Sequence, residues 1–425
     1  MAFDKVVDSA KLDSAMTATA DAIRGKTGST DSIEWDELTG FASSIDEISG
    51  GGNVPVVEKD VNFYDYDGTL LYSYTLDEVQ ALTELPDAPV PKKEILVFDE
   101  WNWTLADIKA YNNPLQVGAI YKTVDEKTYA VLKIDEDWQK SITIRYAQWC
   151  TSIVVDWGDG TADDPTTTSG GAAVTKTHTY AEKGTYIVTI NANGTWNMGL
   201  NSSSGTFFGS INNNESVALR ELYIGKGARL LSNAFVKAMG LEYITIPKTS
   251  TQTWMSVFVW CCSLRAVMFP STFTKIDGGA FEYCYSMGVV SFSKNMTYIG
   301  GFDDTGVEVL TLPAASVVLC FGNSAMQKIV IPDGVQRISF RLSYCLKEVV
   351  LPDTVTTIDA QAFYNCYSMT RMRFKPTTPP TVENANAFTG IPTNCIVEVP
   401  AGTLATYQSA TNYASIAAQM VEANE

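Results

Sequence analysis

From residue 219 onward the chain repeats itself, and a repeat of this length admits few folds. The stretch "LRAVMFPSTFTKIDGGAFEYCYS" at 264–286 returns as "LKEVVLPDTVTTIDAQAFYNCYS" at 346–368. The same pattern aligns units starting at 219, 241, 264, 287, 307, 326, 346 and 369, in steps of 22, 23, 23, 20, 19, 20 and 23 residues. A fixed period of about 20 to 50 residues marks an array in which each unit buries its apolar face on the next. The period predicts a solenoid over 197–394 and a closing strand and helix, 395–425, that cap its open core.

Each unit opens with apolar residues at positions 1, 4 and 6, such as Leu264, Val267 and Phe269 or Leu346, Val349 and Leu351. Positions 4 and 6 share one face of a strand and point into the coil. A proline closes the strand at Pro247, Pro270, Pro313, Pro332 and Pro352, where a missing N–H is tolerated at the ladder's edge. An Ile-Asp turn follows, and the aromatic-Cys-aromatic element then returns the chain inward. The units at 287–325 lack that close. These features resemble the BspA-type leucine-rich repeats, whose consensus "LPDTVTTIDAQAFYNCYSM" at 351–369 follows almost throughout. Positions 3 and 5 of each strand point outward, and they carry Tyr223, Tyr243, Met268, Val289, Val309, Lys328, Val330, Glu348, Val350, Arg371 and Arg373. A stripe this apolar on a face expected to be solvated is the candidate receptor-binding face, although β-propensity alone would also enrich it.

Upstream, "ITIRYAQWCTSIVVDWGDGT" and "VTKTHTYAEKGTYIVTINAN" read as strands and turns. Trp157-Gly158-Asp159-Gly160-Thr161, His178-Thr179-Tyr180 and Gly184-Thr185-Tyr186 with Val188 resemble the PKD-type immunoglobulin-like sandwich, which implies such a domain over 138–196. That resemblance gives His178, the sole histidine, a structural role bonding a loop at the sandwich end rather than a catalytic one. Residues 59–137 predict a small α+β module. "VNFYDYDGTLLYSYT" reads as a hairpin on an Asp67-Gly68 turn, "LDEVQALTEL" and "WNWTLADIKAYNN" as helices, and "GAIYKTVDEKTYAVLKI" as a second hairpin around Asp125 to Lys127. Two short amphipathic helices fill 10–48 within an N-terminal attachment segment, 1–49, and the glycines of 50–58 predict a linker. The fold class expected is therefore multidomain and mainly β.

Composition narrows function. A net charge of −18 repels phosphate backbones and anionic lipid, which argues against nucleic acid as a partner. No apolar run reaches the roughly 20 residues of a membrane span, so no membrane insertion is expected, and residues 1–28 show no secretory apolar core. The eight cysteines lack metal-ligand spacing and read as reduced, buried thiols. No catalytic, cofactor-binding or metal-ligating set is recognisable, so a binding protein rather than an enzyme is expected, with no cofactor.

Residues 9–135, through "LDSAMTATADAIRGKTGSTDSIEWDELTGFASSI", "VNFYDYDGTLLYSYTLDEVQAL" and "WNWTLADIKAY", resemble segments of phage and prophage tail fibres. The resemblance implies a receptor-binding protein of the virion tail, assembled in the host cytoplasm. It would attach to tail or baseplate proteins through its N-terminus, as a homotrimer, and recognise a bacterial surface glycan or protein through its repeats. The alternatives are a BspA-like surface adhesin, which would need a secretion signal and wall anchor, and a tail-associated polysaccharide depolymerase.

Overall fold

The computed structural model describes residues 59–423 apart from 168–169, 201–205, 210–216, 252–255, 277, 314–317, 321–324 and 339–343. The expected N-terminal helices and linker lie outside the described residues. Glu58–Glu425 clusters as one compact unit.

The first layer is a four-stranded sheet. Strand β1 (Val61–Tyr64) turns through Asp65–Thr69 into antiparallel β2 (Leu70–Tyr74), and Gly68 at φ 86° supplies the left-handed backbone that this turn needs. Helix α1 (Leu76–Ala81) starts on a Thr75–Glu78 capping box, which satisfies two orphan amides at once. Strand β3 (Leu96–Trp101) precedes α2 (Leu105–Tyr111), capped by Thr104. The tryptophans of "WNW" thus lie on the strand end and its loop rather than within a helix. Strand β4 (Leu115–Thr123) completes the order β2-β1-β4-β3, parallel to β1. Alternation splits this sheet. Val61, Phe63, Leu115, Val117 and Tyr121 pack with Trp101, Trp103, Val79 and Ile108 in one aromatic core, whereas Tyr64 and Ile120 turn to the opposite side.

The second hairpin expected around Asp125–Lys127 does not form. Strand β4 is already flanked by β1 and β3, so the chain leaves at Val124–Lys127 and β5 (Thr128–Ile134) joins a different sheet, between the strands at 184–192 and 219–223. Strands β6 (Ser141–Gln148), β7 (Ile153–Asp156), β8 (Ala172–Thr179), β9 (Gly184–Ala192) and β10 (Trp196–Met198) follow. They lie in two sheets whose inward residues, among them Leu132, Ile144, Val155 and Ile190, share one core.

These two sheets run straight into the repeats. The first repeat strand, β11 (Leu219–Tyr223), pairs antiparallel with β5, and 228–230 pairs parallel with β10. The boundaries expected at 137 and 196 therefore do not separate independent cores. Backbone groups at the first coil, which would otherwise form an open edge, are hydrogen-bonded into the upstream sheets.

Beyond β11 the repeat period becomes strand pairing. Where neighbouring units pair, position 3 faces position 3: Glu221↔Tyr243, Ala266↔Val289, Val309↔Lys328, Lys328↔Glu348 and Glu348↔Arg371, while the steps from 243 to 266 and from 289 to 309 separate the sheets. The expected Ile-Asp turn is in fact a second short ladder, with Ile276↔Ile299 and Ile338↔Ile358 in register. Inside, Phe235, Phe258, Phe281 and Phe302 stack at centroid separations of 5.5, 5.2 and 5.2 Å. Cys261 and Cys284 donate their thiols to the carbonyls of Phe235 and Phe258, 3.3 and 3.2 Å away. The unit at 287–306 lacks the cysteine but keeps the coil, because Thr305 is buried in its place and donates to the Phe302 carbonyl at 3.1 Å. At the far end 396–399 and 420–422 continue the ladder. The helix of the cap is short (α3, Leu404–Ser409), and Tyr407 and Tyr413 close the core against Phe374.

Candidate recognition face

The outward strand positions divide into a covered half and an open half, which sequence alone does not distinguish. The α+β module lies across the first coils. Tyr64 and Ile120 pack on Ala266 and Met268, and Tyr223 joins the module's own core, with Tyr243 packed against it. Tyr223 is 0% and Met268 4% exposed, so both are removed from the receptor-binding face expected of them. Val289 is half-buried at the same contact.

Polar staples fix this cover. Asn102, buried at the end of β3, donates from Nδ2 to the Phe269 carbonyl and the Ser291 hydroxyl, both at 2.9 Å, and accepts the Gly118 amide at 2.8 Å. Trp103 Nε1 donates to the Phe292 carbonyl at 2.7 Å, and the Tyr111 hydroxyl to the Leu312 carbonyl at 2.5 Å. Lys294–Asp107 at 2.6 Å and Lys93–Glu221 at 2.9 Å add ion pairs at the rim. Gly118 lies so close to the coils that a Cβ there would meet Met268 Cβ at 2.8 Å.

From Val309 on, the face opens, although Thr311 two residues along is still buried. Val309 and Val350 are 39% and 42% exposed, and Ile396 and Val421 are 51% and 45% exposed. Lys328, Glu348 and Arg371 are exposed beside them, with Val330 and Arg373 half-buried. Arg371 pairs with Glu398 at 2.7 Å. Ile396, Glu398 and Val421, within the 395–425 cap expected from the sequence, extend this face. The strand signal was present in "IVEVP", where Pro400 closes a strand as in the repeats.

Where the module ends and the open face begins, the two surfaces diverge into a cleft of about 510 Å³. Lys59, Asn62 and Gln116 of the module and Val289, Val309, Lys328 and Val330 of the coils border it. The cleft therefore gathers four of the sequence candidates around polar groups that the repeat pattern did not flag.

The residues with chemical potential elsewhere are structural. His178 Nε2 lies 2.7 Å from Asp159 Oδ2, and its ring stacks on Trp157 at 4.9 Å. Asp159 also accepts the Thr161 hydroxyl at 2.6 Å and amide at 3.0 Å; Thr161 first, and then His178, hold its carboxyl below the usual range. This is the loop-bonding role expected of His178. Burial pushes the Cys261 and Cys284 thiols well above their ordinary value, which keeps them unreactive. Cys345 departs from the expected burial and is exposed. Among the described residues no group of three potential ligands could hold a metal ion, and no helix is long and apolar enough to cross a membrane.

Residues 211–317 and 318–416 match the BspA type leucine rich repeat region in six copies. Among solved structures, a leucine-rich repeat protein from Bacteroides ovatus is 15% identical, with a TM-score of 0.34 over 41% of this chain and 48% of that one. A leucine rich cell surface protein from Faecalibacterium prausnitzii is 16% identical, with a TM-score of 0.17 over 48% and 80%. The chain thus spans about half the length of the first of these. No curated protein matches it.

Proposed function

We propose that this chain, whose residues 211–317 and 318–416 match the BspA type leucine rich repeat region, is a surface-recognition protein of the BspA-like adhesin kind. It binds a cell-surface glycan or protein through the open half of its strand face. The observation that supports this reading is the contrast between the two halves. The module buries Tyr223, Ala266 and Met268 and half-buries Tyr243 and Val289, yet Val309, Val350, Ile396 and Val421 stay exposed on the strand ladder. Large solvated apolar residues rimmed by charge, here Lys328, Glu348, Arg371 and Glu398, are the composition of an interaction surface. In this reading the two-sheet segment anchors the ladder through its pairing with the first repeat strands.

The repeat match favours the adhesin over the tail fibre, whose support is the sequence resemblance of residues 9–135. Both readings use the same face and differ in what holds the N-terminus. The test is binding of the labelled full chain to a panel of bacterial cells, against a triple variant Val350→Asp, Arg371→Glu and Ile396→Asp. A fragment starting at 197 is unsuitable, because it removes β5 from the side of β11. Loss of binding with an unchanged unfolding midpoint is expected, and undiminished binding by the folded variant refutes the assignment of this face.

A further inference from the structure

The cleft between module and coils contains an unsatisfied polar group. Gln116 lies on β4 beside Asn62 of β1 and is 8% exposed. Its side-chain amide bonds to no described residue, and its Oε1 is fully buried without a partner. A buried amide left unpaired costs about 1–3 kcal/mol, so such a group in a native fold calls for an explanation. Its neighbour Asn62 shows the ordinary solution, with its amide closed on the Lys59 carbonyl at 3.1 Å and its oxygen accepting the Ser73 hydroxyl at 2.5 Å. Gln116 has no equivalent.

Across the cleft the coils present Glu308 and Lys328. Neither side chain forms an ion pair among the described residues, although their coils are neighbours. The floor between them is apolar, formed by Val289, Val309 and Val330. At Gly288 a Cβ would meet nothing within 4 Å, so the space above it is open. With Lys59, Asp60 and Asn62 on the module side, the lining holds two amides, two carboxylates and two ammonium groups around this floor, donors and acceptors together at zero net charge.

We infer that this cleft is a saccharide site. It takes one or two neutral pyranose units, with their C–H faces on the valine floor and their hydroxyls bonded to Glu308, Lys328 and Nε2 of Gln116, the end of that amide that is not buried. Hydroxyls suit the mixture because each both donates and accepts, and about 510 Å³ is within the usual range of small-ligand sites. The inference rests on the surface-recognition reading for the source of the sugar, and places a sugar contact at the inner end of the open face.

The test uses the full chain with cellobiose, lactose and N,N′-diacetylchitobiose as probes, and the uncharged peptide Gly-Ser-Gly-Ser as the competing class, read by saturation-transfer NMR and titration. At least one disaccharide is expected to bind. Glu308→Gln and Lys328→Gln should each weaken it by about ten-fold, and Gly288→Trp, which fills the cleft from open space, should abolish it. Gln116→Met should also abolish it; should that variant misfold, the three surface variants still decide. Binding of the peptide alone, of no probe, or of a disaccharide equally by wild type and Gly288→Trp overturns the assignment. Sugar binding by a chain that binds no cell refutes the surface-recognition reading and leaves the cleft standing. Cell binding without sugar binding does the reverse.

Discussion

Replacing Asn102 with leucine tests whether the α+β module is locked to the coils by polar staples or merely rests on them. Leucine keeps the volume and removes every side-chain hydrogen bond. The consequences differ among the partners. Ser291 keeps its bond to the Gln116 carbonyl at 2.7 Å, and the Phe292 carbonyl keeps Trp103. The Gly118 amide and the Phe269 carbonyl lose the Asn102 side chain as partner, inside an interface too tight for water beside Met268. Two buried orphans at about 1–3 kcal/mol each give a cost of about 2–6 kcal/mol. Urea unfolding followed by tryptophan fluorescence reports it directly, since Trp101 and Trp103 flank the site. With slopes of about 1–3 kcal/mol/M the midpoint should fall by roughly 0.7 M or more, or an early transition should appear as the module undocks. A midpoint within about 0.3 M of wild type, with one transition, would refute the reasoning.

Three further outcomes follow from other parts of the molecule. Phe258→Ala opens a gap between Phe235 and Phe281 in the stack and should cost about 3–5 kcal/mol, measured as a lowered unfolding midpoint. Alkylation under native conditions, mapped by mass spectrometry, should mark exposed Cys345 well before buried Cys261, Cys284 and Cys366; equal labelling contradicts the packing. For Asp107, burial pushes the carboxyl up, but Lys294 and Thr104 more than offset it and hold it low. Its stabilising contribution is therefore complete above the ordinary carboxylate pKa of about 3.9 and lost as pH falls through the lower folded value. Asp107→Asn should accordingly destabilise the chain at pH 7 and flatten the loss of stability below about pH 4, read from thermal melts at stepped pH.

The repeat was legible because its physics is local. Leu264, Val267 and Phe269 recur at fixed spacing, and the spacing alone dictates which side chains enter the coil. The same reasoning located the Asp67-Gly68 hairpin and the role of His178, whose partners lie in a recognisable turn. It failed wherever the decisive contact was distant. Nothing near Tyr223 or Met268 announces that a sheet 150 residues or so upstream covers them, and nothing near Asn102 points to Phe269 or Ser291. The mistaken second hairpin has the same origin: Thr123 and Thr128 bracket a good turn, but other strands already occupy both edges of β4. The Ile-Asp turn was misread differently, because two-residue strands such as 357–358 are too short to carry an alternating pattern. The cleft was invisible because Gln116 becomes unusual only when its surroundings leave its amide unpaired.

The module's cover also sets what evolution can vary. Coils from 219 to 312 are held at four heights at once, by Tyr223, Asn102, Trp103 and Tyr111, so inserting or deleting a coil there would shift every staple out of step. Beyond Leu312 the next coil has only its predecessor to match, and the closing tyrosines ask merely for a final Phe374-like partner. A lineage could lengthen or shorten this arm by whole turns of about 20 residues, changing its reach and the number of contacts it offers, while the base that aims it stays untouched.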